Sequence, residues 1–171
     1  MFINFNLKFT IIFLVFFYFL FFLLWICFIL IRKKRILQLF ASEKEITPNI
    51  FFAINNVLNR KQKNTFFHFD YSYWNERNSS GVYLLFNKTK NKYYVGQSKR
   101  IFYRINDHFF GKGNRDIYYD YCHGDTFTIK IIPLIKSNYS SLNKLERHTI
   151  ATFKSYRKGY NKTRGNHSNL I

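Results

Sequence analysis

Six polar side chains between residues 83 and 161 are of the types needed to hydrolyse a phosphodiester. In chain order they are Tyr83, Tyr94, Arg104, His108, Glu146 and Asn161. In-line cleavage requires an activated water, stabilisation of charge on the non-bridging oxygens, and relief of charge on the departing oxygen. These six residues include groups suited to each task.

One carboxylate in this set is suited to a metal ion. Glu146 is the only glutamate after Glu76, and a Mg²⁺-like ion can keep most of its waters and take further ligands from the substrate phosphate. No second acid is placed to bridge another ion, so a scheme with one Mg²⁺ or Mn²⁺ is favoured. The alternative for Glu146 is an ion pair with Arg147, Lys144 or another neighbour. The remaining acids are counter-candidates for the metal: Asp107, Asp116, Asp120 and Asp125.

The two tyrosines lie on segments that the sequence predicts to form a β-hairpin. Residues 82–86 and 93–96 are rich in β-forming residues, and a polar stretch separates them. Tyr83 and Tyr94 would point into one cleft if they pair directly across the ladder, which requires a loop with an even number of residues. Gly81 and Gly96 would let a substrate approach the backbone closely, with a bulge as the alternative.

Helical spacing places the other candidate residues. Residues 100–110 carry an apolar stripe, with Arg104 and His108 four apart on a second stripe. The planar fork of Arg104 is suited to phosphate oxygens. A helix from Ser140 or Ser141 to about residue 156 places Glu146 beside a buried stripe. A short helix at 116–122 and a third strand at 126–135 complete the predicted elements.

The ordered set resembles the GIY-YIG nuclease family over about residues 80–166. Its tripeptides are Gly81-Val82-Tyr83 and Tyr94-Val95-Gly96, in which valine replaces the family's isoleucine. The resemblance implies an α/β (α+β) fold with a small three-stranded antiparallel sheet flanked by helices, and metal-dependent cleavage of DNA. It also implies that the six polar residues are catalytic and that six others bind substrate: Gly81, Gly96, Gln97, Ser98, Lys162 and Arg164.

The same resemblance implies that Tyr83 is the general base or orients the water, with Tyr94, His108 and Asn161 completing the site. A phenol titrates near a pKa of about 10. Arg104 and the metal could lower that value, and His108 could otherwise take the proton. From the sequence, the choice between Tyr83 and His108 stays open.

Charge points to a polyanionic partner. Residues 81–171 hold seventeen basic and five acidic groups, and the whole chain has a net charge of +18. Such an excess attracts nucleic acid or an anionic membrane, and a merely soluble basic surface is the less favoured alternative. Cys27 and Cys122 form neither a disulfide framework nor a CxxC metal site, which fits a reducing compartment.

The N-terminal segment is predicted to be a membrane anchor. Residues 9–31 contain no charge over 23 positions, enough to cross a bilayer core of about 30 Å. A signal peptide is the alternative, but the run is long and lacks a small-residue cleavage site. The basic cluster at 32–35 would bind anionic lipid headgroups and hold the following domain in the cytoplasm.

The predicted organisation is a tail at 1–8, the anchor at 9–31, a juxtamembrane linker at 32–79, the nuclease domain at 80–166 and a tail at 167–171. A helix at about 48–59 in the linker would pack on the domain through positions such as Ile50, Ala53 and Ile54, or else add a nucleic-acid contact through Arg60, Lys61 and Lys63.

The sequence therefore predicts a membrane-anchored, metal-dependent DNA endonuclease that nicks or cuts both strands. The alternative is a membrane-tethered nucleic-acid-binding protein of the same fold without turnover. A third possibility is that the apolar start is a translated upstream extension with no part in function.

Overall fold

The fold is taken from a computed structural model that describes residues 2–59 and 80–166, with side chains for 9–54 and 80–166. It comprises two compact units, residues 1–35 and 36–171. The predicted contact through Arg60, Lys61 and Lys63 lies outside the described residues.

The first helix is the one that the sequence predicts as a membrane anchor. Helix α1 spans Phe2–Ser42. Its stretch Phe9–Ser42 is long and apolar enough to cross a membrane, and its most apolar window is not buried inside the protein. Since a helix in the core of a soluble protein would be mostly buried, the exposure of this window distinguishes it from that class.

A three-stranded antiparallel sheet with flanking helices follows, as predicted. The strands have the order β2-β1-β3, with β1 in the centre. In chain order the elements are α2 Pro48–Asn59, β1 Gly81–Asn87, β2 Lys92–Ser98, α3 Ile101–Phe109, α4 Arg115–Cys122, β3 Phe127–Pro133, a 3-10 turn Leu134–Lys136, α5 Leu142–Phe153 and α6 Ser155–Lys158.

The register of the hairpin differs from the predicted one by two residues. Tyr83 pairs with Gly96, and Tyr94 pairs with Leu85. The prediction that the two tyrosines are directly opposed is therefore wrong. The loop at residues 88–91 nevertheless has an even number of residues, so both tyrosines project from the same face as diagonal neighbours.

The sheet separates two hydrophobic cores. On one face, Tyr83 and Leu85 of β1 pack with residues of α2, α3 and α4 such as Phe51 and Ile105. On the other face, β1 packs against α5, chiefly Leu145, and against the end of α1. Alternate residues of β1 point to opposite faces, which is why one strand contributes to both cores.

Residues 36–54 form part of this second unit and do not act as a plain linker. Ile36 and Phe40, at the end of α1, are buried in one core. In α2, Phe51 is fully buried and stacks on Phe102 with ring centroids 5.3 Å apart. The predicted contact stripe is only partly right, because Ile50 is 42% exposed. Phe51 packs inward in place of Ile50 because its larger aromatic side chain buries more apolar area.

The last predicted helix ends earlier than expected. Helix α5 begins after Ser141, whose side chain accepts a hydrogen bond from the backbone N–H of Lys144, as the capping prediction requires. It ends at Phe153 because Lys154 adopts a left-handed conformation with φ of 54°, and the short α6 follows. The break redirects the chain toward the edge of β2.

Replacing Phe51 tests whether α2 belongs to the folded unit. Phe51→Ala should lower the free energy of unfolding by about 3–5 kcal/mol, because a fully buried ring is lost. The matched control Ile50→Ala, on the exposed side, should change it by about 0.5 kcal/mol or less. Denaturant unfolding of the full chain in detergent micelles measures both, and equal losses would show that α2 does not pack as described.

Candidate active site

A buried hydrogen bond between Tyr83 and His108 forms the centre of the site. The Tyr83 hydroxyl lies 2.9 Å from Nε2 of His108, and both side chains are 0% exposed. Helix α3 brings His108 over the face of the sheet that carries Tyr83. The Tyr83 ring lies across Gly96 on the paired strand, where any Cβ would overlap its hydroxyl.

Tyr94 completes an aromatic group around the histidine. Its ring centroid lies 4.7 Å from that of His108 and 6.2 Å from that of Tyr83. Tyr94 is only partly buried. It is therefore the member of this trio that solvent can reach.

Arg104 lies one turn before His108 on α3 and is largely exposed. Its guanidinium makes a long contact of 3.9 Å with the carboxylate of Asp107, and the Arg104 side chain is 43% exposed. Arg104 also acts on the Tyr83 hydroxyl through hydrogen bonding and charge. A cation so placed can contact both the tyrosine and a group arriving from solvent.

Glu146 reaches the same region from α5, on the other side of the sheet. It is 8% exposed, and its Oε2 atom accepts a hydrogen bond of 3.2 Å from the backbone N–H of Asn166. The backbone N–H of Gln97 also donates to this carboxylate. Its charge is close enough to Tyr94 to raise the pKa of that phenol.

No ion pair neutralises Glu146 within the described part of the chain. The predicted alternative, a pair with Lys144 or Arg147, is therefore absent there. Burial raises the pKa of the Glu146 carboxyl, while the backbone donors at Asn166 and Gln97 oppose that shift. A buried carboxylate with hydrogen-bond donors but no cation has the chemistry of a metal ligand.

Asn161 holds the strand that carries Tyr94. Its Oδ1 accepts a hydrogen bond from the backbone N–H of Val95 at 2.9 Å, and its Nδ2 donates to the carbonyl of Val95 at 2.7 Å. The backbone N–H of Tyr160 donates to the carbonyl of Tyr93 at 2.9 Å. Asn161 thus supports the site through the backbone of β2.

Burial outweighs the positive charge in setting the tyrosine pKa values. Burial raises the pKa of Tyr83 well above its ordinary value, Tyr94 adds to the rise, and Arg104 only partly opposes it. The pKa of Tyr94 is raised as well, again chiefly by burial. The sequence-based expectation that Arg104 would favour the phenolate is therefore right in direction but insufficient in size for the protein alone.

His108 stays uncharged. Burial, together with the nearby positive charge of Arg104, lowers the pKa of His108 to about 3. On the far side of the ring, Nδ1 accepts a hydrogen bond of 2.9 Å from the backbone N–H of Asn114. Both ring nitrogens therefore have partners.

The two glycines predicted to bind substrate pack against the protein on the side where a Cβ would lie. A Cβ on Gly81 would meet Cδ1 of Ile101 at 2.6 Å, and one on Gly96 would meet Tyr83. Neighbouring strands and α3 therefore leave no room for a side chain at either glycine.

Two other predicted substrate-binding residues line an open groove next to Glu146. Gln97 and Ser98 border this groove of about 570 Å³ together with Lys99, Asn143 and Asn166. The Gln97 Nε2 atom donates to Oδ1 of Asn143 at 2.6 Å. The groove is lined by polar side chains together with Leu134 and Leu142, carries a lysine, and includes Asn166, whose backbone binds Glu146.

The remaining predicted substrate ligands lie on the C-terminal segment. Lys162 is paired with Asp116. The guanidinium of Arg164 lies 5.6 Å from the centre of the Tyr156 ring. Both are exposed, but neither makes a described contact with the tyrosine and histidine cluster.

The counter-candidate acids are engaged elsewhere. Lys90 contacts Asp120 at 2.6 Å and Asp125 at 3.3 Å, while Asp107 and Asp116 have the partners given above. Among the described residues, no group of three or more histidine, cysteine or acidic side chains could hold a metal ion. Glu146 is therefore distinguished from these four aspartates by lacking a basic partner in the described part of the chain.

Two residues that the sequence-based reasoning missed support the site. Asn114 caps α4 by accepting hydrogen bonds from the backbone N–H groups of Asp116 and Ile117. Gly113 lies against the His108 ring. An asparagine before the short predicted helix was a usable capping signal, but no pattern in the sequence indicates the contact with the histidine.

Residues 79–161 match the family model of the GIY-YIG catalytic domain. The chain carries a GIY-YIG domain. A nuclease domain of this kind implies a nucleic-acid substrate, and GIY-YIG nucleases generally use divalent metal ions. Neither curated proteins nor solved structures gave a significant match.

The neutral His108 of the GIY-YIG domain should make stability depend on pH. Its folded pKa of about 3 lies below the unfolded value of about 6.5, so the unfolded chain binds the extra proton between these values. Stability should therefore rise with pH over this window, by at most about 1.4 kcal/mol per unit from this group.

Comparison with His108→Gln isolates that contribution. Glu146 acts in the opposite sense in acid, because its raised pKa makes the folded state bind a proton first. Only the difference between the two proteins is therefore informative. Denaturant unfolding at several pH values should give a shallower rise for the variant, and parallel curves would contradict a neutral buried histidine.

Proposed function

We propose that this protein is a metal-dependent endonuclease that hydrolyses DNA phosphodiester bonds with one divalent ion per site. The observation that carries the proposal is the buried Glu146 carboxylate, which has no basic partner in the described structure and lies near Tyr94 within a GIY-YIG domain. The alternative role of Glu146, as half of an ordinary ion pair, lacks a partner.

The donor set at Glu146 fits Mg²⁺ or Mn²⁺. The backbone donors at Asn166 and Gln97 fix the carboxylate, and both residues also line the adjacent groove. A hard cation prefers oxygen ligands such as the carboxylate of Glu146, and it keeps several waters. When bound, the ion would supply charge stabilisation to the phosphate and the leaving oxygen. The burial that now raises the pKa of Glu146 would then be offset by the positive charge.

Arg104 is the residue best placed to stabilise the scissile phosphate. Its guanidinium is largely exposed and its one described ion pair, with Asp107, is long at 3.9 Å. Planar guanidinium groups bind two phosphate oxygens at once, and they do so more strongly as negative charge builds up in the transition state. Because Arg104 also acts on Tyr83, it connects the phosphate with the tyrosine network.

The two tyrosines and His108 would orient the attacking water. Tyr94 is the accessible phenol, whereas Tyr83 and His108 are fully buried behind it. The buried pair fixes the position of Tyr94 and determines how protons are shared within the cluster. Asn161 acts further back, because its two hydrogen bonds hold the β2 backbone next to Tyr94.

The groove beside Glu146 is the path we assign to the DNA strand that flanks the scissile phosphate. Gln97, Ser98 and Asn143 offer neutral donors and acceptors, and Lys99 offers a positive charge for the backbone. Phosphate contacts position a strand without reading its sequence. Lys162 and Arg164, on the exposed C-terminal segment, would add charge at longer range.

We further propose that α1 anchors the nuclease to a membrane through residues 9–31. Two observations support this proposal. Residues 9–31 carry no charged side chain, and the most apolar window of α1 is not buried inside the protein. The basic cluster at 32–35 would then lie among anionic headgroups and hold the nuclease domain on the cytoplasmic side.

Removing the proposed metal ligand tests the nuclease function. Glu146→Gln should lower the rate of nicking of supercoiled plasmid in Mg²⁺ by at least about 100-fold, since even residues that only support metal ligands are worth about 10- to 100-fold. Binding of the same DNA, measured without metal, should persist. The control Glu45→Gln removes a half-exposed carboxylate that pairs with Lys88, and should nick at the wild-type rate.

The same assay distinguishes the alternative functions. If the wild-type chain binds DNA but never nicks it, the protein is a tethered binding protein with a nuclease fold. If Glu146→Gln nicks as fast as the wild type, the metal assignment is wrong.

Two charges placed within α1 test the anchor. Leu23→Arg combined with Leu24→Arg adds about 5–7 kcal/mol to the cost of insertion, so the variant should move from the membrane pellet to the soluble fraction after alkaline extraction. Leu37→Arg, beyond the basic cluster and 42% exposed, is the control and should stay in the pellet. Wild-type protein in the soluble fraction would contradict anchoring.

A further inference from the structure

The hydrogen bond on the far side of the His108 ring determines where its proton lies. The donor at Nδ1 is the backbone N–H of Asn114, at 2.9 Å. A backbone N–H can only donate, so Nδ1 must offer its lone pair. In a neutral imidazole the one proton is then on Nε2.

We propose that Gly113 and Asn114 are positioning residues that fix His108 in the Nε2–H tautomer, so that His108 serves as a hydrogen-bond donor to Tyr83 and is not the general base. The proposal rests on the nuclease function proposed above, because it assigns a role in that reaction. It resolves the choice between Tyr83 and His108 that the sequence leaves open.

The direction of the Tyr83 hydrogen bond follows from this tautomer. The Nε2–H of His108 points to the Tyr83 hydroxyl oxygen, 2.9 Å away, and occupies one of its lone pairs. Nε2 is already protonated and Nδ1 is occupied by Asn114, so neither ring nitrogen can take a proton from Tyr83. A donor at this place stabilises the tyrosine oxygen whenever negative charge develops on it.

The other groups around the ring are consistent with a neutral donor. Arg104 lies on the same helix and carries a positive charge, while Tyr83 and Tyr94 face the ring from the sheet as phenols. Among the described residues, no carboxylate bonds to either nitrogen of His108, whose partners are Tyr83 and the Asn114 backbone. A second proton on the ring would therefore lack a stabilising partner.

Gly113 allows the backbone to approach the ring this closely. A Cβ at this position would lie 2.6 Å from Nδ1 and 2.9 Å from Cα of His108. Its φ lies outside the left-handed range that favours glycine, so space and not backbone conformation accounts for the residue. Any side chain there must push the loop or the ring aside.

The side chain of Asn114 fixes the loop from its other side. Oδ1 accepts hydrogen bonds from the backbone N–H groups of Asp116 at 3.0 Å and Ile117 at 3.3 Å. Nδ2 donates to the carbonyl of Tyr160 at 3.0 Å. The loop that holds His108 is thus tied both to α4 and to the segment that bears Asn161.

Nitrogen NMR of the histidine rings tests the tautomer directly and needs no catalysis. The full chain is labelled with ¹⁵N-histidine in detergent micelles, and the His108 signals are assigned by their loss in His108→Gln. We expect a protonated Nε2 and an unprotonated Nδ1 at neutral pH. A proton on Nδ1, or a charged ring, overturns the proposal even if the protein cleaves DNA.

Two substitutions of His108 test its role in the reaction. Glutamine can place an N–H near the position of Nε2 and donate, but it cannot act as a base. His108→Gln should therefore retain nicking within about tenfold of the wild type, whereas His108→Leu should lose roughly 100-fold or more, the usual effect of removing one such donor. Equal loss in both variants overturns the donor role.

A pair of glycine substitutions tests the positioning element. Gly113→Ala should shift His108 away from the pure Nε2–H tautomer in the NMR spectrum and slow nicking. The control is Gly124→Ala, where nothing lies within 4 Å of the added Cβ although φ is +88°; it strains the backbone but should leave the tautomer and the rate unchanged. An unchanged tautomer in Gly113→Ala overturns the role of the loop.

These outcomes are separable from failure of the nuclease function. If the wild type does not nick DNA, the Glu146→Gln assay already shows that the proposed function is wrong. The NMR result then still reports whether the loop sets the tautomer.

Discussion

The constraint on which the site depends is the outer edge of β2. This strand has no neighbouring strand on that side, so its outward backbone groups need other partners. Tyr160 bonds to Tyr93, the Asn161 side chain bonds to both backbone groups of Val95, and the carboxylate of Glu146 takes the N–H of Gln97. The groups that bond to this edge therefore place Asn161 and Glu146 near Tyr94. The same hydrogen bonds complete the exposed edge of β2 and position these two residues of the site.

Desolvation is the dominant electrostatic effect in this site. It raises the pKa of Tyr83 despite Arg104, raises that of Glu146 despite two backbone donors, and lowers that of His108 to about 3. Each group is thereby biased toward its uncharged form in the isolated protein. In the proposed reaction, a divalent cation would favour ionised Glu146 and a phosphate would occupy Arg104. The reactive charge state would then be assembled only when both are bound.

Much of this arrangement could be predicted from the sequence, because it rests on local patterns. The period-two runs predicted the strands, and Ser141 marked the start of α5. The four-residue spacing of Arg104 and His108 was only partly informative, because His108 is buried with the apolar stripe of α3 whereas Arg104 is exposed. The predicted hairpin register was wrong by two residues. The sequence indicates that the loop has an even number of residues, but it does not show which two residues form the last pair before the loop. The contact between the Asn114 backbone and His108 was not predictable either. Every residue except proline has a backbone N–H, so the residue type does not show which N–H will bind the histidine.

The distribution of charge makes the isolation of Glu146 informative. The part of the chain from residue 81 onward holds seventeen basic groups and only five acids, so a random carboxylate would easily find a cation. The other four acids do contact lysine or arginine within the described structure. Glu146 is instead held by backbone N–H groups on the edge of the sheet, where those donors fix its position without neutralising it. A carboxylate that is fixed, buried and unpaired, in a domain that also carries the exposed Arg104, would suit the cation and the phosphate of the proposed reaction.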